Sequence, residues 1–371
     1  MKSEKELKLS LTREEYEKML GGCASAPVLQ TNFYFVIEEK SMTRVRKTGD
    51  YYELTTKSKV GESDGVFLSR EDNKQITQEE FYALGPCLGK LDTWRAKFDF
   101  SGFEIELDKN RYLFTTDYEL EFECFDDVRI EELKTKVGGS KSETKAHRFS
   151  KRKQFLESKK YGCVLFDFDG TLCDTEAGIA NSIIKTCAQF GLDVSSRNLK
   201  EFYGPPVTEI YTTLLGADKA AQARAIHRHI HYTESYLMHE IYQGITELLN
   251  TLKQKGIKIG VATARSEDSA RQISDFHGIG GYLDFVFGLV DGARESKAEI
   301  IKAAVEASGV AKEKCLMVGD RFYDLEGAAQ NGIDAVAVLY GYGTERETEG
   351  FPQIATVRSV AELGELLEIV T

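Results

Sequence analysis

The sequence predicts two domains of different class. The first is an N-terminal antiparallel β-barrel with a charged tunnel and a few short helices (α+β). The second is a C-terminal α/β domain with an inserted helical cap. Three observations carry this reading. The first ~130 residues hold short β-type runs separated by turn signals. Several of those runs place a charged residue at every second position. From Gly162 onward, short apolar strands alternate with helical patterns, as in a parallel sheet covered on both faces.

In the N-terminal part, strand-like runs fall at 4–11, 30–38, 42–47, 51–57, 93–100, 103–107, 112–115 and 118–124. Turn signals such as Thr48-Gly49-Asp50 and Ser101-Gly102 punctuate them. Thr12-Arg-Glu-Glu and Thr77-Gln-Glu-Glu each pair a capping threonine with early acids, so two short helices interrupt the strands. A meander of about eight strands suggests a barrel. Residues 137–159 read as a linker and basic segment, carrying Lys141, Lys145, Arg148, Lys151, Arg152 and Lys153, with a basic helix running to about 155. The expected domains are therefore 1–136 and 160–371.

In the C-terminal part, strands are expected at 162–167, 257–263, 314–318 and 334–339. Residues 176–243 show helical patterns without a convincing strand and lie between the first two sheet strands, which predicts an inserted cap.

Composition narrows the function classes. The net charge of -12 over 371 residues argues against general binding to nucleic acid or a membrane surface. The seven cysteines are scattered and form no C-x-x-C pair, so neither a disulfide framework nor a thiolate metal site is expected. No stretch approaches the ~18 apolar residues of a membrane span, and a cytoplasmic location is expected.

The chemistry concentrates at strand ends. In Val164-Leu-Phe-Asp167-Phe-Asp169-Gly-Thr, an apolar strand ends in two acids two residues apart, which leave an extended strand on the same face. Ligands of open α/β sheets bind at such carboxyl ends. Thr263 closes a second strand, Lys297 opens a helix, and Asp320 and Asp324 follow a third strand. A phosphate dianion beside several carboxylates needs a divalent cation and an ammonium to balance the charge. This set, in this order, resembles the haloacid-dehalogenase (HAD) superfamily over about residues 160–371, in particular its phosphoglycolate-phosphatase and 5'-nucleotidase-like branch. The resemblance implies a Rossmann-like HAD core hydrolysing phosphate monoesters. Asp167 would be the nucleophile and Asp169 the general acid/base. Thr263 and Lys297 would hold and neutralise the phosphoryl group. Mg²⁺ would bind Asp167, the Asp169 carbonyl and Asp320, supported by Asp324. Tyr340 or Tyr342 is a candidate to stack on a base, and Arg228 to meet a substrate anion. His227, His229 and His231 are expected to splay around the cap helix.

In the barrel, Glu4-x-Glu6-x-Lys8, Arg44-x-Arg46, Lys57, Arg95 and Glu119-x-Glu121-x-Glu123 repeat charge at period two. Such residues from many strands line a barrel interior. Arginine forks suit phosphate oxygens, and clustered carboxylates suit Mg²⁺ or Mn²⁺. The pattern resembles the CYTH superfamily, the triphosphate tunnel metalloenzymes, over about residues 1–155. That resemblance implies Glu4, Glu6, Glu119 and Glu121 as metal ligands. It implies Lys8, Arg44, Arg46, Lys57, Arg95 and Lys145 as triphosphate ligands, with Asp108 a further acid. The expected protein is a bifunctional phosphohydrolase acting on small phosphorylated metabolites and on a triphosphate or nucleotide. In the alternative readings the tunnel is a regulatory binding module or an adenylate cyclase.

Overall fold

The computed structural model describes residues 2–23, 25–63, 66–100, 103–123, 127–137, 140–290 and 292–371, with the backbone alone at 2–4, 63, 98 and 127. Two compact units divide the chain, Met1–Leu156 and Glu157–Thr371.

The first unit contains β1 (Lys2–Leu11), β2 (Val28–Ile37), β3 (Ser41–Thr48), β4 (Tyr51–Ser63), β5 (Val66–Ile76), β6 (Gly89–Phe100), β7 (Phe103–Tyr112) and β8 (Thr115–Glu123). Their order is β5-β4-β3-β2-β6-β7-β8-β1, and an antiparallel β1–β5 pairing closes the barrel. The alternation of the sequence sets which side faces which solvent. On β1, Leu7, Leu9 and Leu11 interleave with Glu6 and Lys8; on β8, Leu120 and Phe122 interleave with Glu119 and Glu121. The apolar set faces outward and packs under the helices Arg13–Leu20 and Asp127–Val137, through Tyr16, Ile130 and Leu133. Burial of each such side chain contributes about 1.5–3 kcal/mol. The barrel core therefore lies outside the barrel wall, and the lumen is left to charge.

Two strand expectations fail here, in opposite directions. Residues 112–115 are not one strand: Tyr112 ends β7, Thr115 begins β8, and Leu113 and Phe114 between them form the tight turn, with φ of 43° and 62°. Their apolar character imitates a strand. Conversely, β5 went unrecognised because its lumen-facing positions, among them Ser69 and Glu71, are polar and erase the apolar alternation.

Residues 137–159 are also more than a linker, because the first unit continues to Leu156. β9 (Ser140–Lys141) pairs with β1, and the helix Lys145–Ser158 packs Ala146 and Phe149 on Tyr34, Leu91 and Tyr112. The Phe149 ring lies so close to Gly89 that a Cβ there would sit 2.6 Å from it, which explains the glycine. Gly138 and Gly139 lie outside the described residues.

The second unit contains β10 (Cys163–Phe166), β11 (Cys173–Asp174), β12 (Glu240–Ile241), β13 (Lys258–Ser266), β14 (Phe285–Leu289), β15 (Cys315–Gly319), β16 (Asp334–Val338) and β17 (Ala355–Val357). Six of them form a parallel sheet in the order β14-β13-β10-β15-β16-β17. The edge strands β14 and β17 were not anticipated; they are short and carry little pattern of their own. β11 and β12 make an antiparallel ribbon that bounds the inserted cap at both of its ends. In the cap, the helices Glu176–Gln189, Val207–Leu215 and Ala217–Thr233 share a core of Ile183, Cys187, Ile210, Tyr211, Ala220 and Ala223. No helix among the described residues is long and apolar enough to cross a membrane.

Candidate active sites

The barrel encloses a cavity of about 550 Å³, lined by Glu6, Lys8, Arg44, Arg46, Lys57, Arg95, Glu121 and Lys145, among others. These residues come from six separate segments, and strand register brings them together. Lys8 faces Glu121 across β1–β8, and Arg95 faces Asp108 across β6–β7. Arg95 donates to Asp108 at 2.9 and 2.6 Å and contacts Glu121 at 2.5 Å. Lys57 meets Glu6 at 3.2 Å and Glu71 at 2.6 Å. Arg46 donates to Asn32 at 3.2 Å, and Arg44 Nε has no hydrogen-bond partner among the described residues. Burial, then the neighbouring Arg44 and Arg95, lowers Arg46 to about 10. The Glu4 side chain lies outside the described residues.

At one wall, ligand atoms of Asp108, Glu119 and Glu121 lie within 4.8 Å of one another, all buried. Lys145 reaches Asp108 at 2.8 Å, Glu119 at 2.5 Å and Glu121 at 2.9 Å. Arg148 contacts Glu119 at 2.7 Å, and Lys8 pairs with Glu121. Burial opposes ionisation of Glu119, yet Lys145 and Arg148 pull it down to about 2. Glu121 is likewise held well below the usual carboxylate range against burial, by Lys145, Lys8 and Arg95. Arg148 was not singled out as a site residue from sequence. Its signal was its spacing: three residues after Lys145, on the same side of one helix.

In the second unit, Asp167 follows β10 directly, its N–H still donating to Val318 of β15. Asp320 follows β15. Lys297 opens the helix Lys297–Ser308, fixed by a Ser296–Glu299 capping box, and Asp324 lies in the first turn of the helix Phe322–Asn331. Folding joins all four. The Lys297 ammonium bridges Asp167 Oδ1 at 2.8 Å and Asp324 Oδ1 at 2.6 Å. Asp167, Asp320 and Asp324 place ligand atoms within 4.8 Å of one another. Close backbone approach is required: a Cβ on Gly170 would sit 2.4 Å from Asp320 Oδ2. Burial raises Asp167 to about 7, opposed by Lys297 and reinforced by Asp324 and Asp169. Burial, with Asp167 and Asp324, pushes Asp320 well above the usual range. Asp320 Oδ1 is buried with no hydrogen-bond partner among the described residues. An all-oxygen set of carboxylates with an orphaned oxygen fits a hard divalent cation.

Thr263 is buried in β13 just after Ala262, where the regular pairing with β14 is interrupted, its Oγ1 accepting from Arg265 N at 3.1 Å. Asp169 accepts from Arg265 Nε at 3.0 Å and from Thr175 Oγ1 at 2.6 Å. Burial disfavours the Asp169 charge, but Arg265 keeps its pKa below the ordinary value. Arg265 lay inside the Val-Ala-Thr-Ala-Arg run, but nothing in that run announced its partner. Asp167, Asp169 and Thr263 open into a cleft of about 750 Å³ that also meets Phe202, Pro206, Ile210, His231 and Arg228.

Tertiary packing gives the tyrosines after β16 and the cap histidines specific partners. The Tyr342 hydroxyl accepts from Thr175 N at 2.6 Å and donates to Asp174 at 3.0 Å, and Tyr340 donates to Thr171 O at 3.0 Å. Both tyrosines brace the site through these hydrogen bonds. His227 and His231 do not splay. Four residues apart, they stack at 6.3 Å, and His239 lies 5.3 Å from His231; His229 is exposed.

Comparison with known proteins agrees with this geometry. The family model "Haloacid dehalogenase-like hydrolase" matches residues 164–338, and the model "CYTH domain" matches residues 2–150. A 5'-nucleotidase of Pseudomonas aeruginosa is 34% identical over 216 residues, 56% of this chain and 96% of that protein. A protein named tyrosine-protein kinase PtkA, of Mycobacterium tuberculosis, is 34% identical over 182 residues, 48% of this chain and 62% of that one. The crystal structure of a predicted phosphatase from Clostridium acetobutylicum superposes with a TM-score of 0.54 at 31% identity, covering 56% of this chain and 99% of the other. The chain belongs to the haloacid dehalogenase-like hydrolases, with a CYTH domain preceding the hydrolase domain. Its C-terminal domain is a phosphatase of that family.

Proposed function

We propose that the chain joins two phosphohydrolases, a phosphate monoesterase in the α/β domain and a triphosphatase in the tunnel. The observation that supports the first most directly is the meeting of Asp167, Asp320, Asp324 and Lys297 from separate strand ends. An Asp167 carboxylate oxygen attacks phosphorus, and the leaving alkoxide takes a proton from Asp169. Water then attacks the aspartyl-phosphate, giving its proton to Asp169, and phosphate departs with Asp167 regenerated. Arg265 favours the ionised Asp169 that the second step needs. Lys297 and the Thr263 hydroxyl hold the phosphoryl group in line. A Mg²⁺ held by Asp167, Asp320 and the Asp169 carbonyl would supply the remaining charge neutralisation, with Asp324 keeping Lys297 in place.

The cleft of about 750 Å³, with its partly apolar wall, suits a phosphate monoester larger than phosphoglycolate. A nucleoside 5'-monophosphate is our preferred substrate class, with Arg228 at the cap edge available to a second anionic group. In the tunnel, Arg44, Arg46, Lys57 and Arg95 would grip the phosphate chain. Glu4, Glu6, Glu119 and Glu121 are the carboxylates offered to Mg²⁺ or Mn²⁺, and Asp108 adds a further oxygen.

Hydrolysis of nucleoside monophosphates, phosphoglycolate and tripolyphosphate by wild type and two variants tests both assignments. Asp167→Asn should lose at least ~10³-fold in monoesterase rate and keep tripolyphosphate turnover within about twofold. Arg44→Ala with Arg46→Ala should do the reverse. Loss of both activities in either variant would defeat the assignment to separate sites. Tight tripolyphosphate binding without phosphate release would make the tunnel a regulatory module, and cyclic AMP from ATP would make it a cyclase.

A further inference from the structure

The carboxylates offered to a metal in the tunnel already hold a cation that belongs to the chain. Lys145 Nζ touches one oxygen from each of Asp108, Glu119 and Glu121, at 2.8, 2.5 and 2.9 Å. These three carboxylates are the ones whose ligand atoms converge within 4.8 Å. A divalent ion drawing on the same oxygens at ~2.0–2.6 Å would lie within about 5 Å of the ammonium. Two cations that close, in a buried site, repel strongly. Lys145 also borders the lumen shared by Arg44, Arg46, Lys57 and Arg95, so its ammonium has an anion-binding surface within reach.

We propose that Lys145 is a displaceable internal counter-ion. It holds the Asp108–Glu119–Glu121 cage when no metal is bound, and loading of a divalent metal drives its ammonium out toward the lumen, where it joins the phosphate site. Metal binding thereby completes the anion site, and by linkage a bound polyphosphate strengthens metal binding. The position of Lys145 makes the movement small. It is the first residue of the helix Lys145–Ser158, and that helix is anchored independently by Phe149 in its apolar socket. This inference rests on the metal-dependent reading of the tunnel.

The test measures Mn²⁺ binding by the electron paramagnetic resonance of free Mn²⁺, without phosphate, on the full chain. Asp320→Asn is present throughout to silence the second unit's cage. Lys145→Met should bind Mn²⁺ at least ~10-fold more tightly than the parent, because a positive charge leaves the cage. Lys59→Met, which removes a cation that borders the lumen and pairs with Glu62, should change binding less than about twofold. Equal or weaker binding in Lys145→Met overturns the proposal. Absence of Mn²⁺ binding in parent and variant alike removes the metal-dependent reading beneath it. A second measurement needs no substitution at Lys145. Acetylation of Lys145 by a small amine-directed reagent, read by mass spectrometry, should rise several-fold when Mn²⁺ is added, and unchanged labelling contradicts displacement.

Discussion

The two sites solve one electrostatic problem by different means. Each must bring a phosphate chain beside carboxylates. In the tunnel each of Glu6, Asp108, Glu119 and Glu121 pairs with at least one of Lys8, Arg95, Lys145 and Arg148, and Arg44, Arg46 and Lys57 add further positive charge to the same lumen. In the α/β site, among the described residues, Asp169 pairs with Arg265, Asp167 and Asp324 pair with Lys297, and Asp320 has no ion-pair partner, so with all four ionised two negative charges are in excess, the charge of one Mg²⁺. The closed barrel takes its charges from many strands and can balance them internally. The open sheet gathers few residues at strand ends, and the balance falls to the metal. The carboxyl groups respond accordingly: Glu119 is driven down to about 2, whereas Asp167 is driven up to about 7.

This contrast predicts opposite signs for removing an acid. Glu119→Gln leaves Lys145 and Arg148 short of a buried partner and should destabilise the first unit by about 3–5 kcal/mol. Differential scanning calorimetry of the full chain reads this as a shift of one transition only. If that transition stays put, internal balance does not hold the barrel together. Asp320→Asn should act the other way in the presence of EDTA. It relieves repulsion in a site with excess negative charge and should stabilise the second unit by about 2 kcal/mol. Added Mg²⁺ should then stabilise wild type and not the variant. A destabilised Asp320→Asn protein would mean that the α/β site is balanced after all.

The buried histidines sharpen the contrast further. Burial, then the neighbouring Arg265, depresses His227 and His239 to about 3. A histidine depressed in the fold contributes stability that is present above its unfolded value near 6.5 and lost as pH falls toward its folded value. Between pH 7 and 5.5, each should cost the second unit about 1.4 kcal/mol. His239→Gln should flatten the urea-unfolding slope over that window by this amount. Glu119 behaves differently: its contribution is present above about 4.5 and is lost only as pH falls toward 2, so the barrel should be insensitive over the same window. The smallest expected effect is at the exposed capping box of the helix Arg13–Leu20, where Thr12→Ala should cost about 1 kcal/mol and leave both activities unchanged.

Much of this was legible from the chain, because strand-end motifs and period-two charge are local patterns. Asp167 and Asp169 sit two apart on one strand, and Glu6 and Lys8 likewise, so their common face follows from backbone geometry. Nothing local revealed β5, whose lumen-facing positions carry polar side chains, or the strand-like turn at Leu113 and Phe114. Residues 140–156 read as basic linker because their charge was visible and their apolar anchors, Ala146 and Phe149, were few.

What the sequence determined by itself is the kind of chemistry: which acids, bases and hydroxyls stand at strand ends, in what order, and on which face of each strand. What only the tertiary structure decided is the pairing. Arg265 with Asp169, Lys145 with the carboxylate cage, Arg148 with Glu119, and His227 with His231 and His239 depend on register and on packing between distant segments. The physical reason is that a buried charge takes its properties from what lies within a few ångströms, and those neighbours are up to about a hundred residues away along the chain.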